Sequence, residues 1–183
     1  MKILHIVGGS PNSGAYKGTE TLHNALLKLN IESKILNNNA SNIKNKKVIF
    51  LKINFFHKIL NSFFIIIEKI LKAFLLHTPR STFSFCFFGN DITKLDVYKN
   101  SDIIHIHWLG EGFISLKSIS KIKKPVIWTM RDMWPFTGGS HYTTDFKNYE
   151  KGLLSKIIKN YKKKVKKNKI QFVAISNWLK SKA

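Results

Sequence analysis

The chain has 183 residues, 44% of them hydrophobic, so it can bury one substantial core and we expect a single domain. Thirty-one basic against ten acidic residues give a formal net charge of +21, which favours nucleic acid, anionic lipid or phosphorylated partners. Cys86 is the only cysteine, which excludes an intramolecular disulfide and a cysteine zinc site and fits a cytoplasmic protein. The apolar run at the N-terminus is too short for a signal peptide.

The first part of the chain has the order of a βαβ unit. The apolar run Lys2–Val7 predicts a strand, and the glycines and proline after it predict a turn. Apolar residues at helical spacing predict a helix over 19–29, and short apolar runs predict strands over 31–36 and 48–51. Phe55–Leu76 is densely apolar but interrupted by charges, which predicts a helix that packs on the protein or lies on a membrane.

The second part repeats the alternation of strands and helices. We predict strands over 102–107, 125–130 and 170–175, and helices over 113–122 and 151–169. The last helix holds nine lysines and no acidic residue. Strands alternating with helices predict an α/β fold, with a Rossmann-like, mainly parallel sheet and helices on both faces. Ligands of such sheets bind at the carboxyl ends of the strands.

The glycine turn after the first strand excludes one nucleotide-binding class. Gly9 and Gly14 have the spacing of a P-loop, but Ala15 and Tyr16 stand where that loop needs Lys and then Ser or Thr. This excludes a P-loop nucleoside triphosphatase. A dinucleotide-binding enzyme is disfavoured, because asparagines rather than an acidic residue follow the second strand.

The same turn leads into a helix N-terminus, where free backbone N–H groups and the helix dipole favour a diphosphate. A merely structural tight turn is an equally acceptable interpretation. On the first interpretation, Gly14, Tyr16 and Lys17 are candidate donor- or acceptor-binding residues.

Two histidines alternate with isoleucines on the strand over 102–107. His105 and His107 therefore point to the same face of the sheet, with His107 nearer the carboxyl end. No third His, Asp or Glu lies nearby in sequence at ligand spacing, so we predict no metal site. We expect His107 to line a ligand pocket instead.

The segment TMRDMWPFTGGSHY, directly after a predicted strand, combines charge, aromatic rings, proline and paired glycines, which packing alone explains poorly. With it, the sequence resembles the retaining GT-B glycosyltransferases of family 4 that build bacterial surface polysaccharides. The segments similar to that family are MKILHIV, SGAYKGTETLHNALLKL, IESKIL, FFGNDITK, DIIHIHWLGEGF, KPVIWTMRDMWPFTGGSHY and AISNWLKSKA. The resemblance spans nearly the whole chain except residues 37–81.

The resemblance implies candidate catalytic residues. It puts Arg131 near the reacting sugar, with Asp132 beside it, although many relatives have His where Arg131 stands and Cys where Ser140 stands. Arginine cannot act as a general base at neutral pH, but its forked donors suit a leaving diphosphate. The alternative is that Arg131 only pairs with Asp132 or another acid. Trp134 is predicted to stack on a sugar, more than Trp108 or Phe136.

The function that the resemblance implies is transfer of a hexose, with retention, from a nucleotide-diphosphate sugar to a cell-surface glycan or a lipid-linked acceptor. It further implies that the chain is the amino-terminal, acceptor-side half of a two-domain enzyme, inactive without the carboxyl-terminal donor-binding domain. We expect no cofactor, no specific nucleic acid partner, and peripheral binding to the anionic inner face of the membrane. The alternatives are a basic nucleic-acid-binding module and a fragment that binds without catalysis.

Overall fold

The computed structural model describes residues 1–39, 48–51, 55–76, 83–110, 112–142, 150–165 and 170–183. The strands are β1 (Lys2–Val7), β2 (Glu32–Asn37), β3 (Val48–Phe50), β4 (Ile103–Trp108), β5 (Val126–Met130) and β6 (Ile170–Ala174). The helices are α1 (Gly14–Lys28), α2 (Phe55–Leu76), α3 (Asp96–Lys99), α4 (Leu116–Ser120), α5 (Leu153–Val165) and α6 (Asn177–Lys182), with 3-10 turns at Ile92–Lys94 and Trp134–Phe136.

The strands form one six-stranded sheet in the order β3-β2-β1-β4-β5-β6, and every neighbouring pair is parallel. This is the strand order of a Rossmann-like fold, in which the chain winds outward from β1 in one direction and then from β4 in the other. The predicted fold class is therefore confirmed. The direction in which successive strands are added reverses between β1 and β4. The connections that follow these two adjacent strands therefore run to opposite sides of the sheet.

The two faces of the sheet differ in chemistry. One face carries Leu4, Ile6, Ile104 and Ile106, and these pack with apolar residues of α4 and α5 in the main hydrophobic core. The other face lies under α1 and carries polar side chains at the alternate positions of β1, β2, β4 and β5: His5, Ser33, His105, His107 and Thr129, all buried. A polar layer buried on a parallel sheet needs internal hydrogen bonds, which makes this face the more informative one.

Helix α1 begins five residues before the predicted span of 19–29. The side chain of Ser13 caps it by accepting a hydrogen bond from the backbone N–H of Tyr16 at 3.2 Å. The buried face of α1 is formed by Tyr16, Thr19 and His23, while Leu29 is 70% exposed. The apolar spacing used for the prediction therefore marked a partly exposed side of the helix.

Helix α2 spans Phe55–Leu76, the range that the sequence predicted. Its Glu68 accepts a hydrogen bond from the backbone N–H of Cys86 at 3.1 Å, and the burial of that carboxyl raises its pKa. None of the helices within the described ranges is long and apolar enough to cross a membrane. Ser176 caps α6, because its side chain accepts from the N–H of Leu179 at 3.1 Å.

Candidate functional site

The point where the strand order reverses defines the candidate site. In sheets of this type a crevice opens outside the carboxyl ends of the two strands that diverge there, here β1 and β4. Gly8 and Gly9 follow β1, Gly110 follows β4, and Arg131 follows β5, the next strand along. The glycines leave room for the side chains of Trp108 and Phe113, and Arg131 provides a cation at the same edge.

The indole of Trp108 lies among these glycines. The backbone N–H of Gly8 donates to the carbonyl of Trp108 at 2.9 Å. A Cβ at Gly9 would be 3.3 Å from the ring, and one at Gly110 would approach it still more closely. Gly9 also has φ of +83°, a left-handed conformation that favours glycine. The half-buried ring of Trp108 is therefore a wall of the crevice.

Asparagines hold the glycine turn in place. The side-chain amide of Asn37 donates to the carbonyl of Val7 at 2.7 Å and to that of Gly9 at 3.3 Å. The side-chain carbonyl of Asn38 accepts from the N–H of Gly9 at 3.0 Å. These residues stand where dinucleotide-binding enzymes have an acidic, ribose-binding residue. The structure shows what they do instead, which is to fix the turn after β1.

The three candidates at the start of α1 have different surroundings. Gly14 and Lys17 are exposed, and a Cβ at Gly14 would meet no atom within 4 Å, so both remain open to a ligand. Tyr16 is 1% exposed and packs with Val7, Ile35 and Val48. The prediction that Tyr16 binds a ligand is corrected: its ring anchors α1 to the sheet.

Arg131 is half-buried, and its guanidinium packs against Gly18 of α1, where a Cβ would collide with it. One of its terminal nitrogens donates to Nδ1 of His107 at 3.4 Å. In the described part of the chain, Arg131 forms no ion pair with a carboxylate and its Nε has no hydrogen-bond partner. Burial lowers the pKa of Arg131, but a guanidinium stays charged at neutral pH. An unpaired cation beside a crevice is suited to an anionic ligand.

Asp132 stabilises the loop that follows β5 by accepting hydrogen bonds within it. One of its oxygens accepts from the backbone N–H of Trp134 at 2.9 Å, and the other accepts from Nδ1 of His141 at 2.6 Å. Arg131 and Asp132 therefore do not form the ion pair that the alternative interpretation predicted. Asp132 holds the residues beside Arg131 in position, and a direct catalytic role for Asp132 stays a prediction.

The hydrogen bond between Asp132 and His141 extends into a chain that includes Ser84, whose hydroxyl lies 3.4 Å from Nε2 of His141. The order of groups is that of a Ser-His-Asp triad, which the sequence analysis did not consider. However, Ser84 is 2% exposed and His141 is 3% exposed. The hydroxyl is not open to a substrate, so the three residues form a buried network that ties the loop after β5 to the segment before β4.

Stacking of Trp134 on a sugar stays a prediction, but the structure buries this ring. Trp134 is 4% exposed, and its Nε1 donates to the carbonyl of Ser84 at 2.6 Å. The ammonium of Lys162 lies 3.5 Å from the centre of its ring, and the ring packs near Trp128 on the core face. Trp108, the half-buried ring at the crevice, is the better aromatic candidate.

His107 is also buried, at 2% exposure, and it belongs to a larger group than the sequence indicated. His5 of β1 lies opposite His105 in the register of β1 and β4, and its Nδ1 is 3.1 Å from Nε2 of His107. One ring nitrogen from each of His5, His105 and His107 lies within 4.8 Å of the others. His5 is distant in sequence from His105 and His107 and comes close to them only through strand pairing, so no third ligand was predicted.

Burial keeps these three rings neutral. It lowers the pKa of His5 to about 3 and that of His105 to about 4, and neighbouring positive groups add to the effect. Burial lowers the pKa of His107 still further, and the nearness of His105, His5 and the Arg131 cation adds to the effect. His107 lines the small cavity beside Arg131, and a direct contact with a ligand stays a prediction. It supports Arg131 from below through its Nδ1 lone pair.

A small cavity and a larger cleft lie at the carboxyl edge of the sheet. A cavity of about 10 Å³, lined by His107, Trp108, Arg131 and Asp132 among others, has room for about one water molecule. A larger cleft of about 560 Å³ lies at the carboxyl ends of β5 and β6, where Met130, Ser176 and Lys180 line it. The candidate ligand surface is thus the open edge above Arg131, Trp108 and the start of α1.

Comparisons of this chain with protein-family models, with curated proteins and with solved structures find no match. The site is therefore described from its own residues, and the resemblance to GT-B glycosyltransferases stays an expectation.

Proposed function

We propose that this chain belongs to a glycosyltransferase that moves a hexose from a nucleotide-diphosphate sugar to a cell-surface glycan or a lipid-linked acceptor. The observation that carries the proposal is Arg131, a half-buried cation that makes no carboxylate pair within the described ranges and lies at the carboxyl edge of a Rossmann-like sheet. Unpaired charges are costly to bury, so a retained one suggests a bound anion. A nucleotide-diphosphate donor supplies such an anion.

In the proposed reaction Arg131 stabilises charge and does not transfer a proton. The bond from the sugar to the diphosphate breaks, and negative charge grows on the leaving phosphate oxygen. A guanidinium held by Gly18 and His107 would donate to that oxygen without reorganising, which is how preorganised donors lower barriers. Trp108 and the exposed Gly14 and Lys17 would contact the donor or acceptor along the same edge.

The proposal includes a membrane-bound location, because two helices expose apolar residues beside lysines. On α2 the exposed positions Ile59, Phe63, Ile66 and Ile70 form one stripe. On α5 the exposed positions Leu153, Ile157 and Tyr161 form another. Phe88 stacks on Phe64 of α2, and Phe87 contacts Tyr161 of α5, so these two neighbouring phenylalanines connect the stripes. We name this surface the apolar-basic face.

The charges around the apolar-basic face favour an anionic bilayer as its partner. Lys156, Lys163 and Lys164 are exposed on α5, and the nearest carboxylate in sequence, Glu150, is turned inward. Apolar side chains interleaved with lysines match an interfacial membrane surface, where buried area and attraction to anionic lipid add. Nucleic acid would use the lysines but leave the apolar stripes exposed to water.

The experiment is a transfer assay with the product of the complete reading frame. The protein is incubated with a panel of nucleotide-diphosphate sugars and extracted membrane lipids, and lipids that gain one hexose are detected by mass spectrometry. We expect one donor class to react and Arg131→Gln to reduce turnover by at least about 100-fold, the scale of losing one preorganised donor. No transfer with any donor, or equal turnover by Arg131→Gln, would contradict the proposal.

Filter binding to oligonucleotides at two salt concentrations tests the competing nucleic-acid hypothesis. A sequence-independent complex seen only at low salt is expected from a net charge of +21. A salt-resistant complex with a defined sequence would favour the nucleic-acid-binding module over the glycosyltransferase.

A further inference from the structure

The buried group of His5, His105 and His107 has a feature that the proposed sugar transfer does not use. Three imidazoles meet on adjacent parallel strands, His5 and His105 opposite each other in register and His107 two residues further along β4. The backbone hydrogen bonds of the sheet fix their Cα positions, so the rings are held together before any ligand arrives. One nitrogen from each lies within 4.8 Å of the other two.

The hydrogen bonds of these rings are incomplete. Arg131 only donates, so Nδ1 of His107 accepts from it, and Nε2 of neutral His107 then carries the proton and donates to Nδ1 of His5. His5 must then carry its own proton on Nε2, which has no partner in the described part of the chain although His5 is fully buried. A buried polar atom without a partner costs free energy, which indicates that the group is not optimised for hydrogen bonding alone.

We propose that His5, His105 and His107 bind one divalent transition-metal ion of the zinc class. Three neutral nitrogen ligands without a carboxylate suit Zn²⁺, Co²⁺ or Ni²⁺ and disfavour Mg²⁺ and Ca²⁺, which prefer oxygen. Nδ1 of His5 and Nε2 of His107 are 3.1 Å apart, close to the separation of about 3.3 Å between two ligands in tetrahedral zinc. No fourth protein ligand lies in the group as the structure describes it, so water completes the coordination.

Thr129 of β5 orients His105, the proposed metal ligand that lies closest to that strand. Nε2 of His105 is 2.8 Å from the hydroxyl of Thr129, which fixes the ring plane. Hydrogen bonds of this kind, from the nitrogen that does not bind the metal, are usual around metal-binding histidines. If Nε2 of His105 bonds to Thr129, its Nδ1 is left to bind the ion.

Arg131 opposes the metal. Its guanidinium repels a dication, and it donates to the same ring that must turn a lone pair toward the ion. Metal binding and the contact between Arg131 and His107 are therefore competitive. Removing the guanidinium should tighten metal binding, by about tenfold if one such contact of about 1.4 kcal/mol is relieved.

The test uses tag-free protein that has been stripped with a chelator and then titrated with Co²⁺ and Zn²⁺. We expect one ion per chain by calorimetry, visible absorption bands typical of tetrahedral Co²⁺, and a Zn²⁺-dependent rise in Tm. His107→Gln and His105→Gln should weaken binding at least 100-fold. His141→Gln is the matched control, a buried histidine that bonds to Asp132 outside the group, and should bind as the wild type does. Arg131→Gln should bind about tenfold more tightly.

Two measurements remain informative if a ligand variant does not fold. The Arg131→Gln titration leaves all three histidines in place, and ¹⁵N spectra of the wild type report which imidazole nitrogens shift with Zn²⁺. Absence of Co²⁺ bands at millimolar Co²⁺ would overturn the proposal. So would one-to-one binding that persists in a folded His105→Gln, His107→Gln double variant, or shifts confined to other histidines.

Discussion

The guanidinium of Arg131 lies directly on the Cα of Gly18, and no side chain larger than hydrogen fits between α1 and this arginine without moving it. Gly18 is in the second turn of α1 and is not among the glycines with positive φ. Glycine at this position therefore leaves room for the Arg131 side chain, and the backbone conformation does not require it. This contact, with the hydrogen bond to His107, determines where the charge of Arg131 lies.

Gly18→Ala should separate stability from function. Alanine favours a helix interior by up to about 1 kcal/mol over glycine, so the free energy of unfolding should stay equal or rise. The added methyl group displaces Arg131, so turnover in the transfer assay should fall at least about tenfold. Denaturant unfolding and the transfer assay measure the two effects. Asn24→Ala is the control, because Asn24 is exposed on α1 outside the site and its replacement should leave turnover unchanged.

Trp134→Phe and Trp108→Phe should act on different properties. The first removes the donor to the buried carbonyl of Ser84, and it should lower the free energy of unfolding by about 1–3 kcal/mol. The second changes a half-buried ring at the crevice and should reduce turnover with a smaller loss of stability. Urea titration and kinetics of both variants check this. A functional defect in Trp134→Phe with unchanged stability would show that the assignment of the two rings is reversed.

These two tryptophans show where the sequence was informative and where it was not. The alternating runs predicted the sheet because apolar periodicity reports burial, and all strands were predicted to within about a residue or two. The sequence could not say which tryptophan faces the crevice, because both follow strands. That choice depends on the loop after β5, which turns Trp134 back under Lys162.

Two further errors have the same origin in non-local contacts. His5 was not grouped with His105 and His107, because only the pairing of β1 with β4 brings residues so far apart in sequence together. Tyr16 was expected at the ligand surface because it follows the glycine turn. The helix starts at Gly14, however, and its geometry directs Tyr16 onto the sheet. A periodic pattern along the chain predicts which residues share a face of a helix or strand. It does not predict which other residues that face packs against.

Glu150 should stabilise the protein in a pH-dependent way. Burial alone would raise its pKa, but hydrogen bonds from Lys159, Ser140, Ser155 and the N–H of Gly138 outweigh burial and lower it. A carboxylate with a lowered pKa contributes stability above its ordinary value of 4.5, and that contribution disappears as the pH falls through the lowered value. We expect Glu150→Gln to cost about 1–3 kcal/mol at pH 7 and progressively less below pH of about 4. Chemical denaturation of both proteins across this range tests the sign. A difference that grows at low pH would contradict it.

Binding to anionic vesicles should depend on the apolar-basic face. Phe63→Ser combined with Ile66→Ser removes exposed apolar area, and it should weaken partitioning at least about tenfold on the basis of apolar transfer energies. Leu29→Ser is the matched control, because Leu29 is 70% exposed on α1, outside that face. Flotation with vesicles containing anionic lipid measures binding.

The lysines of the same face should account for the salt dependence. Lys163→Glu with Lys164→Glu should weaken binding to anionic vesicles, whereas Lys28→Glu on α1 should have a smaller effect. High salt should weaken wild-type binding, because the Debye length shortens to about 3 Å at 1 M. Equal binding to neutral vesicles would count against an anionic surface as the partner.

The most direct test of the account is whether sugar transfer depends on the position of Arg131. Turnover by the product of the complete reading frame is compared for the wild type, Arg131→Gln, Gly18→Ala and Asn24→Ala, with one nucleotide-diphosphate sugar and a lipid-linked acceptor. The account predicts retained anomeric configuration, loss of activity in the first two variants and normal activity in the third. Transfer that is unaffected by both Arg131→Gln and Gly18→Ala, or no transfer from any nucleotide-diphosphate sugar, would contradict it.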